Sequence, residues 1–459
     1  MEQIWIVRIT WVKPHARIGM LGRSVLRDNP WRMGNDTMCW NRTLKIAARS
    51  ALSAVCGILL ALPAFAGENW PAFRGVNGVG VAPEANLPIH FDETTNVVWK
   101  TKIPGWGHSS PVVWGDQVWM TTASEDGLRM SAVCVDANSG EIIHELLLFE
   151  NESVNPNHHP ANSYASCTPV IEEGRVYCHF GHYGTACVDT ATGRVIWQRR
   201  DIEVDEFRGP GSSPILFENL LIVLCDGVDR QFVLALSQET GKTIWRTERT
   251  IDYGTDNGDF KKGYATPAIF EVDGRPQLVA PAAVATIAYN PRTGDELWRV
   301  RHEGMNAASR PLSAAGLVLV AAGKDDTSLV AVSPGRGDLT EDGIVWQSGK
   351  AIPRRSSPLI VGDLLFMVTD RGVATCRDAG TGKIHWMERL DGEYWASPVS
   401  DGERIYCFSK QGDAPVFSAK ATFERLARNT FVEGFHATPA IADHAMYVRS
   451  RHHLYRIEK

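Results

Sequence analysis

The sequence predicts an all-β protein in which four-stranded antiparallel blades form a ring, a β-propeller. Three observations support this fold. A unit of two strand-like runs, a turn and a Trp recurs along the chain. Alternating apolar runs of about 4–8 residues are common after residue 66, whereas helical periodicity is scarce. The repeats are 40 to 58 residues apart, which is the length of a four-stranded blade.

Each repeat begins with a small residue, a hydroxyl residue and a proline. The eight prolines are Pro111, Pro169, Pro214, Pro267, Pro311, Pro358, Pro398 and Pro439. The residue two positions before each proline is Ser, Cys or Ala, and the residue just before it is Ser or Thr, except at Arg310. Innermost strands converge on the propeller axis, where only small side chains fit. We therefore expect eight blades, or seven if the irregular seventh repeat is not a blade.

A turn and a Trp close most repeats. Asp, Asn or Ser opens the turn by bonding its own backbone, and Gly four residues later supplies a positive φ. The Trp that follows is predicted to anchor each outer strand between neighbouring blades. These docking residues are Trp99, Trp197, Trp245, Trp298, Trp346 and Trp386. The first repeat has His144 at this position, and the seventh has no Trp.

The eighth repeat ends at Lys459, one strand short of a blade. The segment 96–100, which carries Trp99, stands immediately before the first repeat and is the expected donor. An N-terminal strand that completes the last blade would close the ring and remove two exposed sheet edges. This predicts one propeller domain at 96–459, preceded at 67–95 by a loop-like arm that packs across a propeller face.

The first 66 residues are interpreted as lying outside the fold. An apolar run at 52–62 ends in Ala64-Phe65-Ala66, an A-x-A cleavage pattern, and basic residues precede it. We expect a signal peptide at 38–66, cleaved near Ala66, and a mis-annotated upstream region at 1–37. The run is too short to span a membrane. The predicted location is periplasmic or otherwise exported, with association with the cell envelope left open and no lipid anchor expected.

Charge and cysteine content limit the partners. Without residues 1–66 the chain holds 38 Lys and Arg and 50 Asp and Glu, a net charge of −12. Such a surface repels phosphate backbones, so nucleic acid is not expected as a partner. The seven remaining cysteines include no adjacent pair and no CxxC. Cys178 and Cys187, in one predicted hairpin, are the only candidate disulfide.

Repeats such as ACVDTATGRVIW resemble those of PQQ-like (quinoprotein-type) propellers, a family that includes alcohol dehydrogenases and the outer-membrane assembly scaffold BamB. WPAFRG, NSYASCTP, HFGHYGTACVD and the final HLYRIE resemble an exported planctomycete-type branch of this family. The resemblance covers nearly all of 67–459. It implies the fold and export but no chemistry, because this branch has no assigned activity.

Active enzymes of the wider family hold the quinone against two adjacent, disulfide-linked cysteines and bind calcium through carboxylate and amide groups. The chain has no adjacent cysteines, and its length leaves no room for the insertions that build such a pocket. The resemblance therefore implies no cofactor. PQQ with calcium remains a disfavoured alternative, and no metal site is expected.

The residue three positions before each proline should point toward the channel mouth. These residues are His108, Ser166, Gly211, Tyr264, Ala308, Arg355, Trp395 and His436. Arg310 and Arg354 add positive charge to the same region. The set could bind an anionic or aromatic ligand by charge, hydrogen bonding and stacking. The alternative is that these positions are polar only because water fills the channel.

These observations favour an exported, non-enzymatic binding or scaffold protein with no catalytic residue assigned. Its partner, a protein or a small anionic or aromatic ligand at one propeller face, is not identified by the sequence. The alternative is a PQQ-dependent oxidoreductase of alcohols or sugars. An enzyme of the hydrolase or lyase class that uses the mouth histidines also stays open.

Overall fold

Eight antiparallel sheets follow one another along the chain, one for each predicted repeat. They belong to a computed structural model that describes residues 69–302, 304–305, 308–322 and 328–459. The predicted signal peptide at 38–66 and the upstream region at 1–37 lie outside the described residues. In the described part of the chain, no helix has the length and hydropathy needed to cross a membrane.

The first strand, β1 (Val97–Lys102), belongs to the last blade. Blade 1 comprises β2 (Val112–Trp114), β3 (Gln117–Ala123), β4 (Arg129–Asp136) and β5 (Ile142–Glu150). Blade 2 comprises β6 (Val170–Glu172), β7 (Arg175–His179), β8 (Thr185–Asp189) and β9 (Val195–Arg199). Blade 3 comprises β10 (Ile215–Phe217), β11 (Leu220–Asp226), β12 (Gln231–Ser237) and β13 (Thr243–Glu248).

Blade 4 comprises β14 (Ala268–Val272), β15 (Arg275–Pro281), β16 (Ala285–Tyr289), β17 (Glu296–Arg301) and the added parallel strand β21 (Gly337–Asp338). Blade 5 comprises β18 (Leu312–Ala314), β19 (Leu317–Ala322), β20 (Ser328–Val332) and β22 (Ile344–Ser348). Blade 6 comprises β23 (Leu359–Val361), β24 (Leu364–Val368), β25 (Val373–Asp378) and β26 (Ile384–Arg389).

Blade 7 comprises β27 (Val399–Ser400), β28 (Arg404–Tyr406), β29 (Asp413–Ser418) and β30 (Arg425–Thr430). Blade 8 comprises β31 (Ala440–Ala442), β32 (Ala445–Arg449), β33 (His453–Ile457) and β1. Two short 3-10 turns, Val76–Gly78 and Gly258–Phe260, are the described helical elements. The eight-bladed prediction is confirmed. The seven-bladed alternative is wrong, because the seventh repeat forms a complete sheet.

The N-terminal strand closes the ring as predicted. Strand β1 pairs antiparallel with β33, with Lys100 opposite Tyr455 and Lys102 opposite His453. Trp99 then links this completed blade to the first one, because its indole Nε1 donates to the carbonyl of Ala137 (3.0 Å). The first and the last strands that the structure describes are therefore held in the same sheet.

Most of the docking tryptophans reach the turn of the next blade. The indole Nε1 donates to a backbone oxygen there, at Gln238 from Trp197, at Pro291 from Trp245 and at Lys420 from Trp386 (2.8, 3.1 and 3.0 Å). The turn residue must be Gly because the Trp ring packs directly against its backbone: a Cβ at Gly241 would lie 2.5 Å from the Trp197 ring. Packing between blades therefore explains the turn Gly as well as the Trp.

Two of the tryptophans and His144 differ in detail. The Nε1 of Trp298 donates to Gln277 of its own blade (2.7 Å), while the ring packs in the apolar cluster between blades 4 and 5. Trp346 packs over Gly382 of blade 6, but its Nε1 has no hydrogen-bond partner among the described residues. His144 occupies the Trp position of blade 1 and lies over Gly193 of blade 2.

The Ser or Thr before each proline forms a belt around the axis. Its hydroxyl accepts a hydrogen bond from the backbone N–H of the same position in the preceding blade, at 2.9 to 3.1 Å. The seven hydroxyls are those of Ser110, Thr168, Ser213, Thr266, Ser357, Ser397 and Thr438. The link that would join blades 4 and 5 needs a hydroxyl at position 310, where the chain has Arg. The belt therefore has one gap.

The first part of the N-terminal arm, residues 70–82, lies in the central channel. Trp70 exchanges backbone hydrogen bonds with Val113 of blade 1 (2.9 and 2.8 Å), and the carbonyl of Pro71 accepts from Ile171 of blade 2 (2.8 Å). Further along, Ser400 of blade 7 donates to Gly80 and accepts from Ala82 (both 2.9 Å). Because these partners are innermost-strand residues of different blades, the arm bridges the channel from side to side.

The seven cysteines in the described part of the chain are all free and buried. In the hairpin of blade 2, Cys178 lies opposite Ala186 and Cys187 lies opposite Tyr177. The two thiols are one register position apart, so they point to opposite faces of the sheet. The candidate Cys178–Cys187 disulfide is therefore wrong.

Candidate functional site

A cavity of about 340 Å³ opens where the innermost strands begin. All eight residues that stand three positions before a proline line it, together with the hydroxyl residues at Ser110, Thr168, Ser213, Thr266, Ser397 and Thr438. Phe73 of the arm also lines the cavity. The arm therefore forms the floor of a single pocket whose wall receives a residue from each blade. We call this pocket the mouth cavity.

The two added arginines have different positions. Arg354 lines the mouth cavity beside Arg355. Arg310 is not in the lining: it is buried, and its Nη1 donates to the carbonyls of Asn77 and Gly78 in the arm (2.8 and 2.9 Å). Burial lowers the pKa of Arg310 to about 10. This guanidinium holds the floor in place and does not contribute to the wall.

Aromatic rings occupy the blade 7, 8 and 1 side of the mouth cavity. The imidazoles of His108 and His436 stack with centroids 4.4 Å apart and planes 3° from parallel. Trp106 meets His108 edge-on at 5.1 Å, and Trp395 meets His436 edge-on at 5.2 Å. His108, His436 and Trp395 line the cavity, whereas Trp106 contacts His108 from outside the lining. Because the two imidazoles cover one face of each other, the row presents mainly ring edges to a ligand.

Both mouth histidines are neutral near pH 7. Burial, with the charges of Lys410 and Arg451, lowers the pKa of His436 to about 4. Burial and the adjacent His436 lower the pKa of His108 well below its usual range. A neutral imidazole has one donor and one acceptor nitrogen. The Nε2 of His108 is buried and has no hydrogen-bond partner among the described residues.

Positive charge lies over the indole of Trp395. The guanidinium carbon of Arg355 is 4.1 Å and the Nζ of Lys410 is 4.4 Å from the ring centroid. Arg355 forms an ion pair with Asp370, and Lys410 forms one with Glu393 (2.9 Å). Two cations therefore contact the Trp395 ring, and each cation is held by an ion pair with a carboxylate.

Tyr264 rests on a buried charge pair. The Nζ of Lys262 lies 4.8 Å from the Tyr264 ring centroid and 3.5 Å from Glu206 Oε1. Burial raises the pKa of Tyr264, so its phenol keeps its proton. Lys262 and His182 hold the pKa of the buried Glu206 carboxylate at about 2, in spite of the opposing effect of burial. The buried pair of Lys262 and Glu206 therefore holds Tyr264 in position in the blade 4 part of the wall.

Sequence reasoning missed His159, Ala161, Asn162 and Arg208, which also line the mouth cavity. They lie at 151–165 and 200–210, the parts of two connections that precede the repeat start and have no repeat pattern. Asn162 crosses between these loops, since its Nδ2 donates to the carbonyls of Arg208 and Pro210 (3.1 and 2.9 Å). The unusual length of these connections is the signal that could have identified them.

We expect the free energy of unfolding to fall as the pH is lowered from about 6.5 toward 4. Because His436 has a folded pKa of about 4 against a usual value of 6.5, the unfolded chain binds a proton that the folded chain does not. This contribution is complete above pH 6.5 and amounts to about 3 kcal/mol at most. Urea midpoints of the parent and His436→Asn at pH 8 and pH 4.5 measure it. If His436→Asn lost as much free energy of unfolding between pH 8 and pH 4.5 as the parent, this pH dependence would not come from His436.

The sequence model described as "Outer membrane protein assembly factor BamB" matches residues 72–200 and 229–459, more than three quarters of the 459 residues. The chain belongs to this PQQ-like propeller family. A comparison with curated proteins finds no match. The finer resemblance to planctomycete-type members stays a prediction.

Solved structures of other propellers share the fold. The chain is similar to BamB from Moraxella catarrhalis, with a TM-score of 0.56 and 14% identity over 79% of this chain and 97% of that one. It is also similar to a quinohemoprotein alcohol dehydrogenase from Comamonas testosteroni, with a TM-score of 0.59 and 11% identity over 85% of this chain and 80% of that one. At these identities the likeness extends to the fold alone.

The described lining of the mouth cavity does not fit a calcium-bound quinone. It includes the amide of Asn162 but no Asp or Glu, whereas calcium takes six to eight oxygen ligands, commonly carboxylates. Cys167 is buried between Ser166 and Thr168 and has no adjacent cysteine. No cluster of three or more His, Cys, Asp or Glu suited to a metal occurs among the residues that the structure describes.

Proposed function

We propose that this family member is an exported, non-enzymatic β-propeller that binds a small anionic or aromatic ligand in the mouth cavity. The observation that carries the proposal is the convergence of His108, His436, Trp395, Tyr264 and Arg355 on one pocket. Its volume, about 340 Å³, is within the range of pockets that bury most of a small molecule. The rings and the guanidinium together offer aromatic contact, charge and hydrogen bonding to a ligand.

The chemistry of the lining supports binding over catalysis. The hydroxyls of the belt accept backbone hydrogen bonds, and the Ser166 hydroxyl donates to Asn162 Oδ1 (2.6 Å). The described lining has no carboxylate to act as a base for any of them. The histidines stack on each other, and neither makes a hydrogen bond to a described hydroxyl. The described lining would therefore hold and orient a ligand, and none of its hydroxyl groups is activated as a nucleophile.

Export is part of the proposal, and it rests on the A-x-A pattern that ends at Ala66. We expect the protein recovered from the producing cell to begin at Gly67. N-terminal sequencing of protein from the periplasm or medium measures this. An intact chain that starts at Met1 or Met38 and stays in the cytoplasm would contradict export and leave the binding proposal intact.

The binding proposal is tested by thermal shift against small carboxylates, phosphates, aromatic acids and short acidic or aromatic peptides. For each ligand that raises the midpoint, Arg355→Ala with His436→Ala should weaken binding at least about tenfold, because truncating a central anchor of a site typically costs more than 1 kcal/mol. The control is Arg194→Ala with His385→Ala, two exposed residues, in the turn before β9 and on β26. Equal ligand shifts in both double variants would refute the proposal.

A protein partner is the second candidate, supported by the family description as an assembly factor. Peptides in the ligand set address it, because an acidic or aromatic side chain of a partner could enter the same cavity. A quinone-dependent oxidoreductase is addressed by adding PQQ and calcium and recording the absorbance spectrum and dye-linked alcohol oxidation. A bound quinone with turnover would overturn the non-enzymatic proposal.

A further inference from the structure

A second cavity, of about 520 Å³, lies beside the mouth cavity on the blade 6 and 7 side. We call it the arginine groove, because Arg354, Arg355, Arg371 and Arg389 line it together with only two acidic residues, Asp370 and Glu393. The arginines come from three separate segments of blade 6: the connection before β23, the turn between β24 and β25, and the end of β26. The fold therefore gathers cations that are distant in sequence.

The two acidic side chains already have partners. Asp370 forms an ion pair with Arg355 and accepts from the backbone N–H groups of Arg354 and Arg355 (3.1 and 3.3 Å). Glu393 pairs with Lys410 at 2.9 Å. In contrast, the guanidinium groups of Arg371 and Arg389 make no hydrogen bond or ion pair with other described residues. The groove thus keeps positive charge that its own carboxylates do not neutralise.

The groove and the mouth cavity share a wall. Arg354, Arg355 and Trp395 line both cavities. The ion pair with Asp370 and the contact with the Trp395 ring hold Arg355 between them. A ligand long enough to pass this wall could place its body against the rings of the mouth and a charged end among the arginines.

We propose that the arginine groove is an oxyanion subsite, which takes the phosphate or carboxylate end of the ligand whose body occupies the mouth cavity. Guanidinium groups present paired N–H donors that match the oxygens of both anions. The groove alone suffices for binding the oxyanion. The statement that one ligand spans both cavities rests on the proposed function of the mouth.

The test uses inorganic phosphate and acetate, titrated into the full chain at constant ionic strength with chloride as the balancing anion, and followed by calorimetry. We expect weak binding of at least one of them, and the stronger of the two identifies the oxyanion source. Arg371→Gln with Arg389→Gln, outside the mouth lining, should weaken this binding at least tenfold. Arg194→Gln, an exposed arginine of blade 2, should leave it unchanged.

The outcomes separate the two proposals. Phosphate and acetate that bind no better than chloride, or that bind the Arg371 and Arg389 double variant as well as the parent, would overturn the oxyanion subsite. His436→Ala should not alter phosphate or acetate binding, because His436 lines only the mouth cavity. If the groove binds an oxyanion but the mouth variants leave every larger ligand unaffected, the subsite stands and the proposed function of the mouth fails.

Discussion

Replacing Arg74 with Met should lower the free energy of unfolding by about 3 kcal/mol or more. This side chain has no exposed surface. Its guanidinium donates to the carbonyls of Pro358 in blade 6 (2.8 Å), Pro398 in blade 7 (3.1 Å) and Val79 in the arm (3.1 Å). Burial and the nearby Arg310 lower the pKa of Arg74 to about 9, so the group is charged at neutral pH. Met leaves these buried carbonyls without a donor.

Denaturant midpoints of the parent, Arg74→Met and Arg74→Lys measure the effect. Lys keeps the charge but loses the planar fork, so its loss should lie between those of the other two. The matched control is Arg301→Met, because Arg301 also donates to a carbonyl, that of Asp252 (2.8 Å), but does so at the surface. We expect the control to change the free energy of unfolding by less than about 0.5 kcal/mol. An Arg74→Met protein as stable as this control would show that the arm does not hold the blades.

Truncating Trp99 to Ala should cost about 3 kcal/mol, because it removes an indole that joins the closing strand to blade 1. The ring packs over Gly140 and against Tyr447, and its Nε1 donates to Ala137. Val98→Ala is the control on the same strand, since Val98 is 49% exposed and should change stability little. Urea unfolding followed by tryptophan fluorescence and circular dichroism measures both variants.

Deleting residues 97–102 is the stronger form of the same experiment. It leaves β33 as an open edge in blade 8, which exposes unpaired backbone groups. We expect a loss larger than that of Trp99→Ala, together with self-association detectable by light scattering. If the deletion left the chain as stable as the Val98→Ala control, the N-terminal strand would be dispensable and ring closure would have another cause.

The periodic part of the structure was predictable because its causes repeat. A small residue two positions before the proline recurs in every blade, and a hydroxyl residue just before the proline and a Trp on the outer strand recur in most blades, because each meets the same steric or hydrogen-bonding requirement. The same period identified the eight positions that line the mouth cavity. Ring closure was predicted because the eighth repeat lacks one strand, and because Trp99 stands before the first repeat in a strand-like segment that belongs to no other repeat.

The parts without a period were not predictable. The arm was expected across a face. Its first part, up to Ala82, bonds to innermost strands of different blades, whereas Leu87 and Phe91 pack in the apolar cluster of blades 7 and 8. Arg310 was placed at the mouth by its position in the repeat, where Ser110 and Thr168 do line the cavity. Its longer side chain extends down the channel to the arm carbonyls instead. The loop residues Asn162 and Arg208 depend on contacts between two irregular connections.

The arm in the channel also determines the route by which a ligand can move. Trp70, Arg74 and Gly80 bond to the innermost strands and to the prolines that precede them, so the arm fills part of the channel. We therefore expect a ligand of the mouth cavity to enter and leave on the side where the innermost strands begin. Ligands that occupy the mouth cavity should therefore compete with one another for it, while a small oxyanion can still bind in the arginine groove.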